Sequence, residues 1–493
     1  MQKPAVIMAT SNGVGAGHLI RTAAIARELL PYARPIIFSM ANSALEVSEA
    51  LGLEHEYVPG RDKVWMPRWR WDRYLRDRLI SLIDETDARI ITFDGVVPYP
   101  GILAAKFRRP KVSLIWIRRG MWRSQPQGMA LNLQSKLMDY IIEPGDIARD
   151  YDSGPTRNRE DAVITSPVTH HSAKNSFNRL EAKKFLKLNS KKRCVLVQLG
   201  VGESDMNDRV SKILEILSRF SNLQVVMVRE PKNQDGVNLA PPGLDLKIVR
   251  YFPMVDVLAA FDGIICASGY NSVHEIIPAR IPTLFIPNSR GTDDQRARAK
   301  WCVESGLALM VDDSNWREIE IMIERLLNPG VRKVLQKNCS YIEPMTGGRE
   351  IAEIIRILLN ENVTSLVLKR IRHKRILAQS RFERGVSDLI RRCMSHLLRT
   401  ASIIFRFLFP HHPFRKNVTS SPVVFASSKI RSNKSLKRGY RLEHVLMGSS
   451  DIYLSSRKKI AQKAYQVSSL AFNDEVYRGR EGSIALNSST RSA

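Results

Sequence analysis

Two runs of small and polar residues in this chain each follow an apolar run and open a helical pattern, where a backbone turns tightly and leaves N–H groups free. The first is Ser11-Asn12-Gly13-Val14-Gly15-Ala16-Gly17-His18. Gly13, Gly15 and Gly17 permit close approach of the backbone to an anion or a sugar. His18 heads the following helix and suits a general base, because a helix N-terminus lowers the imidazole pKa and keeps the ring neutral. A polar cap or loop residue is the competing reading. The spacing is G-x-G-x-G-H rather than G-x-G-x-x-G, and Ser39-Met40-Ala41-Asn42 offers no acid after the second strand pattern, so NAD binding is disfavoured.

The second run is Ala267-Ser268-Gly269-Tyr270-Asn271-Ser272-Val273-His274-Glu275. A helix terminus here presents N–H groups to a diphosphate, and Glu275, two turns in, is spaced to accept both ribose hydroxyls. Apolar residues 282–287 then return as a strand pattern, and Thr292-Asp293-Asp294-Gln295 starts another helix. Asp94, in Thr92-Phe93-Asp94-Gly95, ends a strand pattern at the carboxyl edge where ligands collect in open α/β sheets, and joins His18 as a candidate on the acceptor side. Arg118-Arg119-Gly120 ends another; it reads either as a solvated charge pair or as a contact for an anionic acceptor such as a lipid phosphate. Trp65, Trp69 and Trp71 lie among Arg61, Arg68, Arg70 and Arg73, which fits an amphipathic interfacial element or partial core packing.

These residues need a scaffold, and the pattern supplies one. Residues 6–9, 35–40, 90–93, 112–117, 140–143 and 162–165 read as strands, and residues 19–30 and 101–107 as helices between them. Residues 174–192, rich in Lys, Asn and Ser, read as a linker. The alternation restarts with strands at 194–199, 223–228, 246–249, 263–266 and 283–286 and a helix at 210–220. The expectation is an α/β protein of two Rossmann-like, doubly wound domains, 1–170 and 193–360, joined by a linker at 171–192. Residues 386–408 read as a basic amphipathic helix within a tail, 361–493, that is otherwise without sustained period and partly disordered by composition.

At 493 residues, 44% hydrophobic and 25% charged, the chain exceeds the usual size of one core and is globular in composition. Its net charge of +27 is unevenly placed: residues 361–493 hold 26 Lys and Arg against 8 Asp and Glu. Such a tail suits an anionic surface, and interleaving with Leu, Ile and Phe favours a membrane over nucleic acid. Five scattered cysteines without a C-x-x-C pair argue against a disulfide framework or zinc site. No secretory signal pattern is evident, and no apolar run reaches the roughly 18 residues of a spanning helix. A cytoplasmic protein, peripheral at the inner face of the membrane, is expected.

The run SGYNSVHEIIPARIPTLFIPN followed by TDDQRARA resembles the donor-binding region of glycosyltransferases of family 28, which include muramoyl-peptide N-acetylglucosaminyltransferases and galactolipid synthases. The resemblance implies the GT-B architecture, with two Rossmann-like domains facing a cleft. It also implies hexosyl or N-acetylhexosaminyl transfer from a UDP-sugar co-substrate, with inversion, to a hydroxyl of a lipid-linked or cell-envelope glycan acceptor. No metal or other cofactor is implied. Ser268, Gly269 and the neighbouring Tyr270, Asn271 and Ser272 would hold the nucleotide, Glu275 the ribose, and Asp294 and Gln295 the donor sugar. Gly200 and Gly202, in Gly200-Val201-Gly202-Glu203, are similar in position to the family's loop beside the diphosphate, or form a structural turn. The loop ending in His18 is similar to the family's acceptor-side G-G-T-G-G-H, although it lacks the paired glycines. His18-Leu19-Ile20-Arg21 is also similar to the G-H-x-x-R of a related nucleotide-sugar hydrolase. A nucleotide-sugar hydrolase or epimerase of the same fold, and a non-catalytic protein of anionic surfaces, are the alternatives.

Overall fold

The computed structural model describes residues 3–11, 16–60, 66–123, 128–172, 174–200, 206–228, 241–288, 292–311 and 316–360. Gly13, Gly15, Gly202, Trp65 and the whole basic tail lie outside these residues. The first domain is built on a seven-stranded parallel sheet in the order β3-β2-β1-β4-β5-β6-β7. Its strands are β1 (Ala5–Thr10), β2 (Arg34–Ser39), β3 (Glu54–Tyr57), β4 (Ile90–Asp94), β5 (Ser113–Ile117), β6 (Tyr140–Pro144) and β7 (Val163–Thr165). Helices α1 (Gly17–Leu29), α2 (Ala44–Leu51), α3 (Arg68–Thr86) and α4 (Pro100–Arg108) connect them. Helix α5 (Gly128–Leu137) falls in a separate compact unit. All six residues of β1 are buried, as expected of a central strand covered on both faces.

The second domain repeats the plan with a six-stranded parallel sheet, β10-β9-β8-β11-β12-β13. Here β8 is Arg193–Gln198, β9 Leu223–Val228, β10 Asp245–Val249, β11 Gly263–Cys266, β12 Thr283–Phe285 and β13 Leu309–Met310. The helices are α6 (Arg179–Phe185), α7 (Met206–Ser218), α8 (Tyr270–Ile276), α9 (Gln295–Glu304), α10 (Trp316–Leu327), α11 (Pro329–Cys339) and α12 (Gly347–Leu359). Two apolar clusters form, one joining β8, β11 and β12 to α6, α8 and α9, the other joining β8, β9 and β12 to α7 and α10. Both sheets reverse strand order once, between β1 and β4 and between β8 and β11. The crevices outside the carboxyl ends of those pairs are where such sheets collect ligands.

The expected domain limits need two corrections. Much of the supposed linker 171–192 is ordered into the second domain: α6 carries a capping box between Asn178 and Glu181, and Ala182, Leu186 and Leu188 enter its core. At the other end, α12 does not serve the second domain. Its Ile351, Ala352, Ile354, Ile355 and Leu358 pack into the first domain's core with Leu19, Ala23 and Val168. Gly347 makes that return possible, because a Cβ there would collide with the Ser166 carbonyl. Ile355 is fully buried in this seam. Ile355→Ala is expected to lower unfolding free energy by about 2–5 kcal/mol, checked by urea denaturation of the full chain.

Candidate functional site

In the first domain the site grows from the β1/β4 switch point. Asp94 is the last residue of β4, paired in register with Thr10 of β1, and its carboxylate is fully buried. His18 and Arg21 stand one turn apart on α1 and both reach it. His18 Nδ1 lies 2.7 Å from Asp94 Oδ1, while Arg21 Nε donates to Oδ2 at 2.8 Å and Nη2 to Oδ1 at 2.5 Å. An ionised carboxylate only accepts, so Nδ1 carries the imidazole proton and Nε2 remains the basic nitrogen. Burial would raise the Asp94 pKa, but Arg21 and the bond from His18 hold it below the ordinary carboxylate value. Burial lowers the His18 pKa against the opposing pull of Asp94, so the ring is neutral at physiological pH.

In the second domain the loop between β11 and α8 opens at the other switch point. Gly269 is the extended N-cap of α8, without a side-chain cap, and leaves the first-turn N–H groups free for an anion. The β8 end contributes Gly200 at φ +86°, a conformation that favours glycine. Asn288 ties these loops together: its Nδ2 donates to the Leu199 carbonyl at 3.0 Å, and its backbone N–H donates to Gln295 Oε1 at 3.0 Å. That bond leaves the Gln295 Nε2 amide without an acceptor among the described residues, and a Cβ on Gly269 would sit 3.9 Å from it. Glu275, half-buried in the second turn of α8, has no hydrogen-bond or ion-pair partner among the described residues. Burial, with Asp256 nearby, pushes its carboxyl up to about 8.

The two halves are joined by buried charges in alternating sign. Arg298, fully buried on α9, donates from Nε to Asp146 Oδ2 at 2.9 Å, from Nη1 to the Ser268 carbonyl at 2.8 Å and from Nη2 to Asp293 Oδ1 at 3.0 Å. Asp293 also meets Arg119 of the first domain, whose Nη1 is 3.3 Å away. Burial opposes ionisation of Asp293, yet Arg298 and Arg119 hold its pKa down at about 2. A backbone bridge runs beside this chain: Trp122 pairs antiparallel with Asp293, Arg123 N–H donates to the Thr292 carbonyl, and Asp294 N–H donates to the Met121 carbonyl. His274 adds a link. Its Nε2 accepts from Ile147 N–H at 3.1 Å and its Nδ1 donates to the Tyr270 carbonyl, so burial keeps it neutral with a pKa near 4.

Of the residues picked out by spacing, His18 and Asp94 come together; Gly17 heads α1, Gly200 and Gly269 follow β8 and β11, Ser272 and Glu275 stand on α8, and Gln295 begins α9. Others turn away from a ligand. The Ser268 hydroxyl is buried and donates to the Gln295 carbonyl at 2.8 Å. The Tyr270 ring enters the first domain's core, and its hydroxyl bonds Gly145 O and Val168 N–H. Asn271 Nδ2 donates to the Gly17 carbonyl. Asp294 Oδ1 caps its own helix at Ala297 N–H. Arg118 is not solvated but fully buried against Glu143 and Asp161. Trp71 is core, while Trp69 is 55% exposed. Arg298, Asp146 and Asp293 carried no signal as site residues: each reads as surface charge until its distant partners are known. Arg21 was marked only by the similarity of His18-Leu19-Ile20-Arg21 to the G-H-x-x-R of a nucleotide-sugar hydrolase.

Residues 194–355 match the glycosyltransferase family 28 C-terminal domain. Relatives include two enzymes named UDP-N-acetylglucosamine–N-acetylmuramyl-(pentapeptide) pyrophosphoryl-undecaprenol N-acetylglucosamine transferase. That of Rhodococcus erythropolis is 26% identical over 291 residues, covering 56% of this chain and 72% of its own. That of Saccharopolyspora erythraea is 25% identical over 381 residues, covering 73% and 94%. Among solved structures, the S. aureus MnaA structure with UDP shares the fold at TM-score 0.52 and 14% identity, covering 72% of this chain and 97% of that one. The glycosyltransferase of kitacinnamycin does so at 0.51 and 15%, covering 72% and 99%.

Arg298→Met would leave Asp146 and Asp293 buried without their shared cation, at an expected cost of about 3–5 kcal/mol in unfolding free energy, measured by chemical denaturation.

Proposed function

We propose, from the premise that this chain is a family 28-like glycosyltransferase of the GT-B architecture, that it moves N-acetylglucosamine from its UDP derivative to a hydroxyl of a pyrophosphoryl-lipid-linked muramoyl acceptor. The observation that carries the reading is a neutral His18, aligned by Asp94, together with a loop pair whose helix-end N–H groups, Gln295 amide and Glu275 carboxyl have no partner among the described residues. Donor and acceptor classes follow the printed names of the relatives. In this reading His18 Nε2 takes the acceptor hydroxyl proton as the anomeric carbon opens, and Asp94, itself held in place by Arg21, stabilises the imidazolium that forms. Backbone N–H groups at Gly269 to Asn271 receive the negative charge of the departing diphosphate. Glu275 accepts the two ribose hydroxyls, and Gln295 Nε2 donates to the sugar. The chain's own groups suffice for these steps, and the reading assigns no metal or other cofactor.

The acceptor's lipid implies a membrane surface, and we assign a peripheral place there. No described helix is long and apolar enough to cross a membrane. Helix α3 carries exposed Trp69 with the Arg70 and Arg73 guanidinium groups each 5.2 Å from its ring, a combination suited to an anionic interface. The basic tail adds long-range attraction.

Glu275→Ala is expected to weaken UDP binding by about tenfold or more, read by isothermal titration. His18→Ala should leave UDP affinity intact and lower turnover with acceptor by about 10²- to 10⁴-fold. Sugar released equally fast without acceptor would make the enzyme a hydrolase, and an isomerised UDP-sugar an epimerase. Ribose hydroxyls favour the ionised Glu275, so UDP binding below about pH 8 should release a proton and tighten as pH rises, a linkage absent in Glu275→Gln. Co-sedimentation with anionic vesicles should fall on removing residues 361–493 and fall further with Trp69→Ala. Unchanged sedimentation of both forms contradicts the membrane assignment.

A further inference from the structure

We infer that Arg119 is a positioning residue for the donor sugar, supplied by the first domain but acting through the sugar-facing segment of the second. The inference rests on the transferase reading above and deepens it. Successive arginines after β5 take opposite courses. Arg118 turns inward to Glu143 and Asp161, whereas Arg119 leaves the sheet's carboxyl edge and crosses to residues 292–293. There Nη2 donates to Thr292 Oγ1 at 2.7 Å and Nη1 approaches Asp293 Oδ1 at 3.3 Å. Its Nε is buried with no partner.

A lone exposed ion pair between domains would mean little. This one is enclosed: the Arg119 side chain is 13% exposed and that of Asp293 11%. Burial lowers the Arg119 pKa, with Arg21 and Arg298 adding repulsion that Asp293 and Asp94 oppose. A cation kept in such surroundings depends on its carboxylate, and the carboxylate in turn is fixed by Arg298 from behind. Both groups Arg119 grips lie directly before Asp294 and Gln295. Gln295 begins α9, and its side-chain carbonyl is already committed to Asn288. The direction of its free amide therefore follows the backbone of residues 292–294, which Arg119 and the Trp122–Asp293 bridge hold from across the cleft.

The nucleotide loop itself, Ser268 to Glu275, receives no bond from Arg119. The two parts of the donor are therefore held differently: Arg119 sets the aim of the sugar-facing segment, whereas the first domain meets the nucleotide loop through other groups, Gly145, Gly17 and Asp146. The Arg119 contact is thereby coupled to sugar recognition rather than to UDP affinity.

The test compares wild type, Arg119→Ala, Arg119→Lys and Thr292→Val for UDP binding by titration and for steady-state kinetics with UDP-N-acetylglucosamine and UDP-glucose. Arg119→Ala should bind UDP within about twofold of wild type, raise KM for UDP-N-acetylglucosamine about tenfold, and compress the preference between the two donors. Lysine keeps attraction to Asp293 but not the forked reach to Thr292, and should recover part of the loss. Thr292→Val removes only the hydroxyl acceptor; it should shift KM in the same direction by less, and it carries the comparison if Arg119→Ala does not fold. Equal loss of UDP and UDP-sugar binding, or unchanged KM and preference, overturns the inference. Wild-type protein that binds no UDP overturns the donor reading instead.

Discussion

The site depends on one buried chain of charge, Asp146–Arg298–Asp293–Arg119, that passes twice between the domains. Taking such groups out of water is costly, and only the alternation of sign with added hydrogen bonds compensates it. No member can move alone without stranding its neighbours. Arg298 also holds the Ser268 carbonyl, so the β11–α8 loop, residues 292–294 and the ends of β5 and β6 are fixed relative to one another.

A second assembly, His18–Asp94–Arg21, lies apart from this chain and touches it through Tyr270. Arg21 stacks on that ring at 4.9 Å and Arg298 at 6.0 Å from the opposite network. Because Asp94 is satisfied by both a guanidinium and an imidazole N–H, it stays ionised in the core and orients the base without competing for its proton. Asn271 completes the contact by holding the Gly17 carbonyl at the head of α1. The His18 ring and the β11–α8 loop are thus placed by contacts within the chain.

Most of the fold was legible because burial leaves periodicity. Strands β1, β4, β5, β8 and β11 are apolar runs ended by polar or glycine turns, as parallel sheets covered on both faces require. Strand β3, Glu-His-Glu-Tyr, was missed because an edge position leaves it half-exposed and without apolar alternation. Helix α6 was hidden by its Lys-rich outer face. Helix α12 was not singled out, and its apolar stripe could not have said which of two cores it would enter, because the α1 face that receives it is distant in sequence.

By itself the sequence determined the two small-residue turns after apolar strands, and hence two phosphate- or sugar-facing edges, the histidine at one and the glutamate at the other. Those are local consequences of glycine freedom and helix-end N–H groups. Only the tertiary structure decided which side chains of each motif are engaged by the rest of the chain. Ser268, Tyr270 and Asp294 were spent on packing and capping, while Arg119, Asp146 and Arg298 gained roles from distant partners, Thr292 lying 173 residues from Arg119. Spacing specifies a backbone turn, but the direction of a buried charge is set by where its counter-charge lies in space.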